Sequence, residues 1–355
     1  MLAVRDLHVE YRSLRGPVRA VDGVSFSIAP GEVFGLAGES GSGKSTIAHA
    51  IMRILHPPAV ITGGEVLFAG DDVLAMNDAE LEAFRWDKVA MVFQSAMNAL
   101  NPVMTVGDQI VDAIDAHRRV SRRQARERAA ELLGIVGIET ARLDAYPHQL
   151  SGGMRQRAVI AIAMALEPPL LIMDEPTTAL DVVVQREIMQ QIEELQDRLG
   201  FAILFITHDL SLLVEFSDRI GIMYAGEIVE QAPAQDLFNH PLHPYTQGLM
   251  NSFPTLAGEK KRLTGIAGAP PDLIDPPSGC RFHPRCPCVQ PMFTRVAPNL
   301  REARPGHHVA CHLYPPLGSD GVPNETAAGG RAAAVSATTN PQRSAAGGDR
   351  GATRE

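Results

Sequence analysis

The feature that most constrains the fold is a glycine-rich segment at residues 38–46, which reads Gly-Glu-Ser-Gly-Ser-Gly-Lys-Ser-Thr. A short apolar run, residues 33–37, precedes it, and residues 47–52 can continue as a helix. Strand, glycine loop and helix in this order predict a phosphate-binding loop, because the glycines let backbone N–H groups turn towards an anion at a helix N-terminus. We expect Lys44 to reach the β- and γ-phosphates of a nucleotide and the Ser45 hydroxyl to bind Mg²⁺. The residues of this predicted nucleotide site are Gly38, Ser40, Gly41, Gly43, Lys44, Ser45 and Thr46.

Composition excludes several classes of protein. Hydrophobic residues make up 45% of the 355, enough for a sizeable core, and the net charge of −9 argues against nucleic acid as the main partner. No run of 18 apolar residues occurs, so we expect no membrane span. The N-terminus lacks a secretion signal pattern, and four cysteines are too few for a secreted disulfide scaffold. We therefore expect a cytosolic protein.

The chain changes character along its length. Residues 1–33 alternate apolar and polar in short runs, which predicts half-buried strands. A mainly helical insert is predicted at about residues 95–160, with a capping box at residues 121–124. Apolar strand patterns return at residues 170–173 and 202–206 with a helical stretch between them, which predicts a parallel sheet.

The C-terminal third lacks regular periodicity. Residues 254–314 are rich in Pro, Gly, Cys and His and read as an appended, irregular module. Residues 315–355 hold mostly Ala, Gly, Ser, Thr and Pro, with no aromatic residue to anchor a core, so we expect a disordered tail. A nucleotide-binding domain at residues 1–253 would precede both segments.

The apolar strand at residues 170–173 ends in two acids, Asp174 and Glu175. Carboxylates at the C-terminal end of such a strand lie in the crevice where ligands bind in open α/β sheets. Asp174 suits the Mg²⁺ shell, and Glu175 suits a base that orients an attacking water. A helix N-cap with an exposed acidic neighbour is the alternative for the pair alone. The upstream phosphate loop favours the functional interpretation.

Residues 150–157 read Leu-Ser-Gly-Gly-Met-Arg-Gln-Arg. A serine followed by two glycines at the start of a helix predicts a second anion cradle made of backbone N–H groups. A plain helix N-cap would explain Ser-Gly-Gly by itself, but not the residues that flank it. The full segment resembles the signature of the ATP-binding cassette (ABC) ATPases. In that family the cradle binds the γ-phosphate of ATP held on the other subunit, a role that the resemblance assigns to Ser151, Gly152, Gly153 and Gln156.

The resemblance covers about residues 1–314 and implies roles for four further residues. Gln94 matches the glutamine that touches Mg²⁺ and water and senses the membrane subunit, and His208 matches the switch histidine. Asp181 matches the loop that crosses to the opposite nucleotide site, and Tyr11 matches the aromatic residue that stacks on adenine. The implied fold class is α/β: a P-loop RecA-like core with an antiparallel β-subdomain, a helical insert and an irregular C-terminal extension. The implied cofactors are ATP and Mg²⁺, and the implied reaction is ATP hydrolysis.

Three segments narrow the resemblance to the ATPases of oligopeptide and dipeptide importers: residues 176–182, 243–246 and 279–286. It then implies a bacterial uptake transporter with a second ATPase subunit, a paralogue that forms a heterodimer with this chain. Two integral membrane permease subunits complete the machine, and an extracytoplasmic binding protein acts on it indirectly. The chain would be a peripheral subunit at the cytoplasmic face of the inner membrane, with oligopeptides or dipeptides as cargo.

Other cargoes and one other class of protein are open alternatives. Related systems move oligosaccharides or nickel, and residues 94–102 depart from the Gln-Asp-Pro start that is common in peptide members. The alternative of another class is a soluble, non-transport cassette ATPase of translation or DNA repair. Such proteins usually carry two cassettes or a long coiled-coil insert, and this sequence shows neither.

Four cysteines lie in the C-terminal module: Cys280, Cys286, Cys288 and Cys311. Clustered cysteines in a reducing compartment more often bind metal than form disulfides. The family resemblance implies a [4Fe–4S] cluster, although the third family cysteine falls at Phe293 and this chain instead offers Cys288. Histidines close by allow a Zn²⁺ site instead: His283, His307, His308 and His312. A packing role without any metal is the third alternative.

Overall fold

The computed structural model describes residues 1–94, 99–177, 181–252 and 265–315. The strands are β1 (Leu2–Ser13), β2 (Gly16–Ile28), β3 (Val33–Gly38), β4 (Ala59–Phe68), β5 (Asp71–Asp72), β6 (Val89–Val92), β7 (Leu170–Asp174), β8 (Ala202–Ile206), β9 (Arg219–Tyr224), β10 (Glu227–Pro233), β11 (Arg301–Arg304) and β12 (His307–Val309). The helices are α1 (Lys44–Ile51), α2 (Asp78–Phe84), α3 (Val106–Asp115), α4 (Arg122–Ile135), α5 (Gly152–Ala163), α6 (Val182–Leu199), α7 (Leu210–Phe216), α8 (Ala234–Asn239) and α9 (Pro244–Asn251). Residues 95–98, within the segment 94–102 that departs from the common peptide-importer pattern, and residues 316–355 of the predicted disordered tail lie outside the described residues.

The main sheet has eight strands in the order β11-β12-β10-β9-β3-β8-β7-β6. Its five strands from β9 to β6 are parallel, and the remaining three are antiparallel to their neighbours. The parallel strands β3, β7 and β8 are therefore side by side, and their carboxyl ends meet at one edge. The phosphate loop follows β3, and the two predicted acids end β7, so the topology brings both to that edge.

Alternate residues of the central strands enter two separate hydrophobic clusters. In β3, Phe34 and Leu36 pack with the small sheet and α1, whereas Val33 and Ala37 pack on the side that carries most helices. Burial on both faces explains why these strands are continuous apolar runs in the sequence. The second sheet, β2-β1-β4-β5, is antiparallel and covers one face of the main sheet. The predicted α/β class, with a P-loop core and an antiparallel β-subdomain, is confirmed.

Helices α3, α4 and α5 lie between β6 and β7 and pack together in one hydrophobic cluster. The predicted capping box begins α4: the Ser121 hydroxyl accepts from the Gln124 N–H, and the Gln124 side chain accepts from the Ser121 N–H. Each end of this reciprocal pair satisfies a donor that the helix itself leaves without a partner. The local sequence therefore accounts for where α4 begins.

The described part of the C-terminal extension, residues 265–314, continues the main sheet. Its hairpin β11–β12 joins the core where β12 pairs with β10, in a register that sets Glu230 opposite Val309. The two strands have four and three residues, too short to produce a clear alternating pattern in the sequence. Among the helices of the described residues, none combines the length and the apolar character that crossing a bilayer requires.

Candidate nucleotide site

The phosphate loop connects the last residue of β3, Gly38, to the first residue of α1, Lys44. All three of its glycines have φ angles that favour glycine: 151° at Gly38, 78° at Gly41 and 106° at Gly43. A Cβ atom added at Gly38 would lie 2.2 Å from the Met223 carbonyl oxygen, and one added at Gly43 would lie 2.1 Å from the Ala20 carbonyl oxygen. Backbone on both sides therefore excludes any side chain at these two positions. Ser40 and Gly41, by contrast, are exposed at the tip of the loop.

Lys44 lies inside this loop with 6% of its surface exposed. Its ammonium donates to the carbonyl oxygens of Gly38, at 2.9 Å, and Glu39, at 3.0 Å. Burial lowers the pKa of Lys44, while the nearby carboxylates of Glu175, Asp174 and Glu39 act in the opposite direction. The Lys44 ammonium therefore lies at the N-terminus of α1, where its positive charge and the helix dipole both favour the binding of an anion.

Ser45 and Asp174 form an oxygen-rich pair at the carboxyl ends of β3 and β7. The Ser45 hydroxyl donates a 3.0 Å hydrogen bond to Oδ1 of Asp174, which is 2% exposed. Burial raises the pKa of Asp174, and the hydrogen bond from Ser45 opposes that shift. A hydroxyl and a carboxylate in contact are a donor set suited to Mg²⁺. A buried carboxylate that receives one hydroxyl hydrogen bond also gains from a cation beside it.

His49 is a site residue that the sequence analysis missed. Burial lowers the pKa of His49, which favours the neutral ring, and Asp174 is the nearby carboxylate that opposes the shift. Its ring also contacts Phe93, with 6.2 Å between the ring centroids. The missed signal was its spacing: His49 is four residues after Ser45 in α1, so both lie on one face of the helix.

Glu175 stands directly after β7 with a φ angle of 47°, in the left-handed region. Its N–H donates to the Ile206 carbonyl oxygen at 2.8 Å, which ties this residue to the end of β8. The Gln94 amide donates to one carboxylate oxygen at 3.1 Å, and Nδ1 of His208 lies 3.4 Å from the other. The structure therefore brings together the three residues that the sequence analysis predicted as catalytic, from three separate strand ends.

The signature segment starts α5 and faces the start of α6. The Ser151 hydroxyl accepts from the Met154 N–H at 3.3 Å, and a Cβ atom added at Gly153 would lie 2.7 Å from Cγ1 of Val184. Asp181 caps α6 by accepting from the N–H groups of Val183 and Val184. These hydrogen bonds stay within their own helices and do not bring the signature to the phosphate loop. Gly152 occupies the first position of α5, as the predicted cradle requires.

Tyr11 and Gln156 occupy different surroundings. The Tyr11 hydroxyl lies 3.2 Å from Oγ1 of Thr46, which places the half-buried ring beside the N-terminal turn of α1. Gln156 is 1% exposed, and its Nε2 has no hydrogen-bond acceptor within the described part of the chain. Tyr11 is therefore adjacent to the nucleotide site, whereas Gln156 lies on a buried face of α5.

The cysteines do not form a metal centre in the described residues. Cys288 is exposed, Cys280 and Cys286 are half-buried, and Cys311 is buried among Leu242, Ala303 and Val309. Burial raises the pKa of Cys280 to about 11 and that of Cys311 to about 12, so both are neutral thiols in the metal-free chain. Within residues 1–94, 99–177, 181–252 and 265–315, no group of three or more His, Cys, Asp or Glu side chains is arranged to hold a metal ion.

Two of the four nearby histidines, and Phe293, have contacts other than the cysteines. Nε2 of His307 lies 2.7 Å from a Glu230 carboxylate oxygen, and His312 bonds the Val296 carbonyl oxygen. Phe293, at the position of the third family cysteine, is buried and stacks on the His312 ring. The predicted iron–sulfur cluster and its zinc alternative therefore find no support in this arrangement.

Two family models match the chain. Residues 21–178 match the model described as ABC transporter. Residues 229–292 match the one described as oligopeptide/dipeptide transporter, C-terminal region. The first match contains the phosphate loop, the signature and both strand-end acids, and the second contains three of the four cysteines.

Curated relatives align over most of the chain. A probable peptide ABC transporter ATP-binding protein of Sinorhizobium fredii is 47% identical over 315 residues, which are 88% of this chain and 94% of the relative. The dipeptide transport ATP-binding protein DppD of Bacillus subtilis is 44% identical over 316 residues, with the same coverage. Among solved structures, the ATP-binding cassette MJ0796, a dimer in a post-hydrolysis state bound to ADP and Pi, superposes with a TM-score of 0.59 at 32% identity. It covers 66% of this chain and 99% of its own.

Proposed function

Because this chain belongs to the family of ABC transporter ATP-binding proteins, we propose that it binds and hydrolyses ATP to power a bacterial peptide importer. The observation that carries the proposal is the Glu175 carboxylate, which lies between Gln94 and His208 at the same sheet edge as the Ser45–Asp174 pair. A base, a cation site and an anion cradle at one edge are the components that phosphoryl transfer to water requires.

The phosphate loop holds the triphosphate. Backbone N–H groups at the start of α1 and the Lys44 ammonium bind the β- and γ-phosphates, and the Tyr11 ring stacks on adenine. The Ser45 hydroxyl, the Asp174 carboxylate and the Gln94 amide oxygen hold Mg²⁺. When bound, that ion neutralises charge that develops on the phosphate oxygens.

Glu175 orients the attacking water and accepts its proton as the oxygen–phosphorus bond to the γ-phosphoryl group forms. The bond from that phosphorus to the β-phosphate oxygen breaks, so ADP and phosphate leave. His208 and Gln94 restrict the carboxylate to the orientation in which one oxygen can meet the water. Catalysis thus depends on positioning and electrostatics, with no covalent intermediate.

The signature acts on a second subunit. Ser151, Gly152 and Gly153 bind the γ-phosphate on the partner ATPase, Gln156 supports them from its buried position in α5, and Asp181 lies at the interface. At the start of α5 the Ser151 hydroxyl accepts from the Met154 N–H, which leaves the N–H groups of Gly152 and Gly153 for an anion, whereas the first N–H groups of α6 already donate to the Asp181 carboxylate. The partner is a paralogue in a heterodimer, and two membrane permeases complete the transporter at the inner face of the plasma membrane. A binding protein outside the membrane delivers the cargo.

Peptides are the proposed cargo, since the relatives named for peptide or dipeptide transport align over both the cassette and the C-terminal extension. Residues 1–253 form the nucleotide-binding domain in this proposal, and residues 254–314 form the extension. No step depends on a metal bound by the cysteines.

The test is transport by the assembled machine. This chain is expressed with its neighbouring permease and ATPase genes, purified as a complex and reconstituted with its binding protein in vesicles. Uptake of labelled dipeptides and oligopeptides is expected to require ATP, with oligosaccharides and nickel as competing cargoes. Lys44→Ala should abolish uptake, whereas Lys88→Ala, at an exposed lysine paired with Asp87, should not. Uptake that needs no ATP, or uptake that survives Lys44→Ala, would contradict the proposal.

A further inference from the structure

A carboxylate lies in the phosphate loop itself. Glu39 follows Gly38 directly, and its backbone carbonyl accepts from the Lys44 ammonium at 3.0 Å. Burial dominates the lowered pKa of Lys44, and Glu39 is one of three carboxylates close enough to oppose that shift. A negative side chain this close to the loop would repel a triphosphate unless a cation compensates its charge.

The compensating cation comes from the C-terminal extension. Arg285 forms a two-pronged ion pair with Glu39: Nη1 lies 2.8 Å from Oε2 and Nη2 lies 3.0 Å from Oε1. The Arg285 side chain is only 6% exposed, and its guanidinium lies over the rings of Tyr224 and Phe282 at 5.7 and 5.9 Å. A planar guanidinium that is stacked and paired on both prongs is held in one orientation.

Tyr245 holds the backbone of the same residue. Its hydroxyl accepts from the Glu39 N–H at 2.9 Å, and its ring is fully buried against Tyr224 and Phe282. Both the side chain and the N–H of Glu39 are therefore fixed by groups outside the loop. The aromatic cluster that supports these contacts contains residues from β9, α9 and the extension.

We propose that Arg285 is a positioning residue for ATP binding, which neutralises Glu39 and fixes the phosphate loop, so that docking of the C-terminal extension and nucleotide affinity are coupled. This inference rests on the ATP site of the proposed function and assigns the extension a role at that site. Because binding couplings are reciprocal, nucleotide also stabilises the docked extension.

A neighbouring arginine supplies the matched control. Arg281 is buried in the same extension, donates to the Ala225 carbonyl oxygen and forms ion pairs with Asp22 and Glu227. None of these three partners belongs to the loop at residues 38–46. Loss of Arg281 therefore weakens docking without exposing a charge in the phosphate loop.

The experiment measures the dissociation constant of a fluorescent ATP analogue for the full chain and its variants. We expect Arg285→Met to weaken binding about tenfold, because the Glu39 charge is then uncompensated. Glu39→Gln should bind at least as tightly as the unmodified chain, and Glu39→Gln combined with Arg285→Met should regain most of the lost affinity. Arg285→Lys keeps the charge but loses the two-pronged geometry, so its affinity should lie between those of the unmodified chain and Arg285→Met. Arg281→Met should change affinity less than Arg285→Met.

Rescue by Glu39→Gln distinguishes neutralisation of the Glu39 charge from a purely structural role of Arg285. If the role were only structural, the double variant would bind the ATP analogue as weakly as Arg285→Met does. Equal losses in Arg281→Met and Arg285→Met, or no loss in Arg285→Met, would overturn the inference. A chain that binds no ATP at all would instead contradict the proposed function.

A second measurement needs no variant. Hydrogen exchange at the amides of residues 280–286 should slow when a non-hydrolysable ATP analogue binds the unmodified chain, since nucleotide and docked extension stabilise each other. Exchange in this segment that is the same with and without the analogue would overturn the coupling even if Arg285→Met fails to fold.

Discussion

His208 and Glu175 meet across the ends of two neighbouring parallel strands, with Nδ1 of His208 3.4 Å from Oε1 of Glu175. The second carboxylate oxygen accepts from the Gln94 amide. Each oxygen of one carboxylate thus has its own partner, which limits rotation of the side chain. Because Glu175 also has a left-handed backbone, tied to Ile206 by a hydrogen bond, its position depends on β8 as much as on its own strand.

Glu175→Gln is expected to reduce ATP turnover about 10²-fold or more while ATP affinity stays near the original value. The amide has nearly the shape of the carboxylate but lacks its basicity. Phosphate release and nucleotide affinity, measured on the assembled transporter, check this. Glu215→Gln on α7, at an exposed ion pair with Arg186, is the control and should retain activity. Near-normal turnover by Glu175→Gln would show that another group is the base.

Ser45→Ala should raise the Mg²⁺ concentration for half-maximal ATPase activity about tenfold or more, because one oxygen donor is lost and the buried Asp174 loses its hydrogen bond. Ser45→Thr keeps the hydroxyl and should stay close to the original chain. A Mg²⁺ titration of hydrolysis by all three proteins distinguishes these outcomes. If the midpoint of the Mg²⁺ titration is unchanged in Ser45→Ala, Ser45 does not bind the ion.

Gly153→Asp should leave nucleotide binding to the chain's own phosphate loop intact but prevent ATP-driven dimer closure. The substitution adds negative charge at the start of α5 and a Cβ atom 2.7 Å from Val184. Size-exclusion chromatography of the chain mixed with its partner ATPase and ATP, in a hydrolysis-deficient background, measures closure. Gly134→Asp in α4, where an added Cβ atom meets no neighbour within 4 Å, is the control. An affinity loss as large as that of Lys44→Ala would contradict a role on the partner's nucleotide.

The stability of the chain should fall with acid because of His243. This fully buried ring accepts from the Tyr245 N–H through Nδ1, and burial lowers the pKa of His243 to about 4. The unfolded state then binds more protons between about pH 6.5 and 4, so the contribution of His243 is complete above pH 6.5 and declines by about 3 kcal/mol towards pH 4. Urea unfolding at several pH values measures this. His243→Asn keeps a capping acceptor that does not titrate and should show a smaller dependence on pH. If the free energy of unfolding depends on pH equally in both proteins, His243 does not cause the loss of stability in acid.

Thiol reactivity should follow burial along the extension. Cys288 is exposed, whereas burial raises the pKa of Cys280 and Cys311 and keeps them protonated. Brief iodoacetamide treatment at pH 8 should label Cys288 first, as mapped by mass spectrometry, and leave Cys311 unlabelled until the chain unfolds. Iron, sulfide and zinc analysis of protein purified without oxygen should find no stoichiometric metal. Stoichiometric iron with sulfide would reinstate the cluster.

Short-range features of the site were readable in the sequence. The phosphate loop needs glycines and a lysine at fixed spacing, the Asp174–Glu175 pair needs only an apolar strand before it, and the Ser121 capping box spans four residues. Each of these depends on local backbone geometry, so residue order alone specifies it. The family resemblance, rather than spacing, supplied Gln94, His208, Asp181 and Tyr11.

Long-range features were decided by the tertiary structure. Arg285 and Glu39 are 246 residues apart, and no periodicity links them until the extension docks beside the loop. The pairing of β12 with β10 and the burial of Cys311 likewise depend on how distant segments pack. The sequence by itself determined which chemical groups the chain carries and which of them stand at the start of a helix or the end of a strand. The tertiary structure alone decided which of them meet, because contacts between remote segments are selected by the burial and charge of the whole fold and leave no pattern within any one segment.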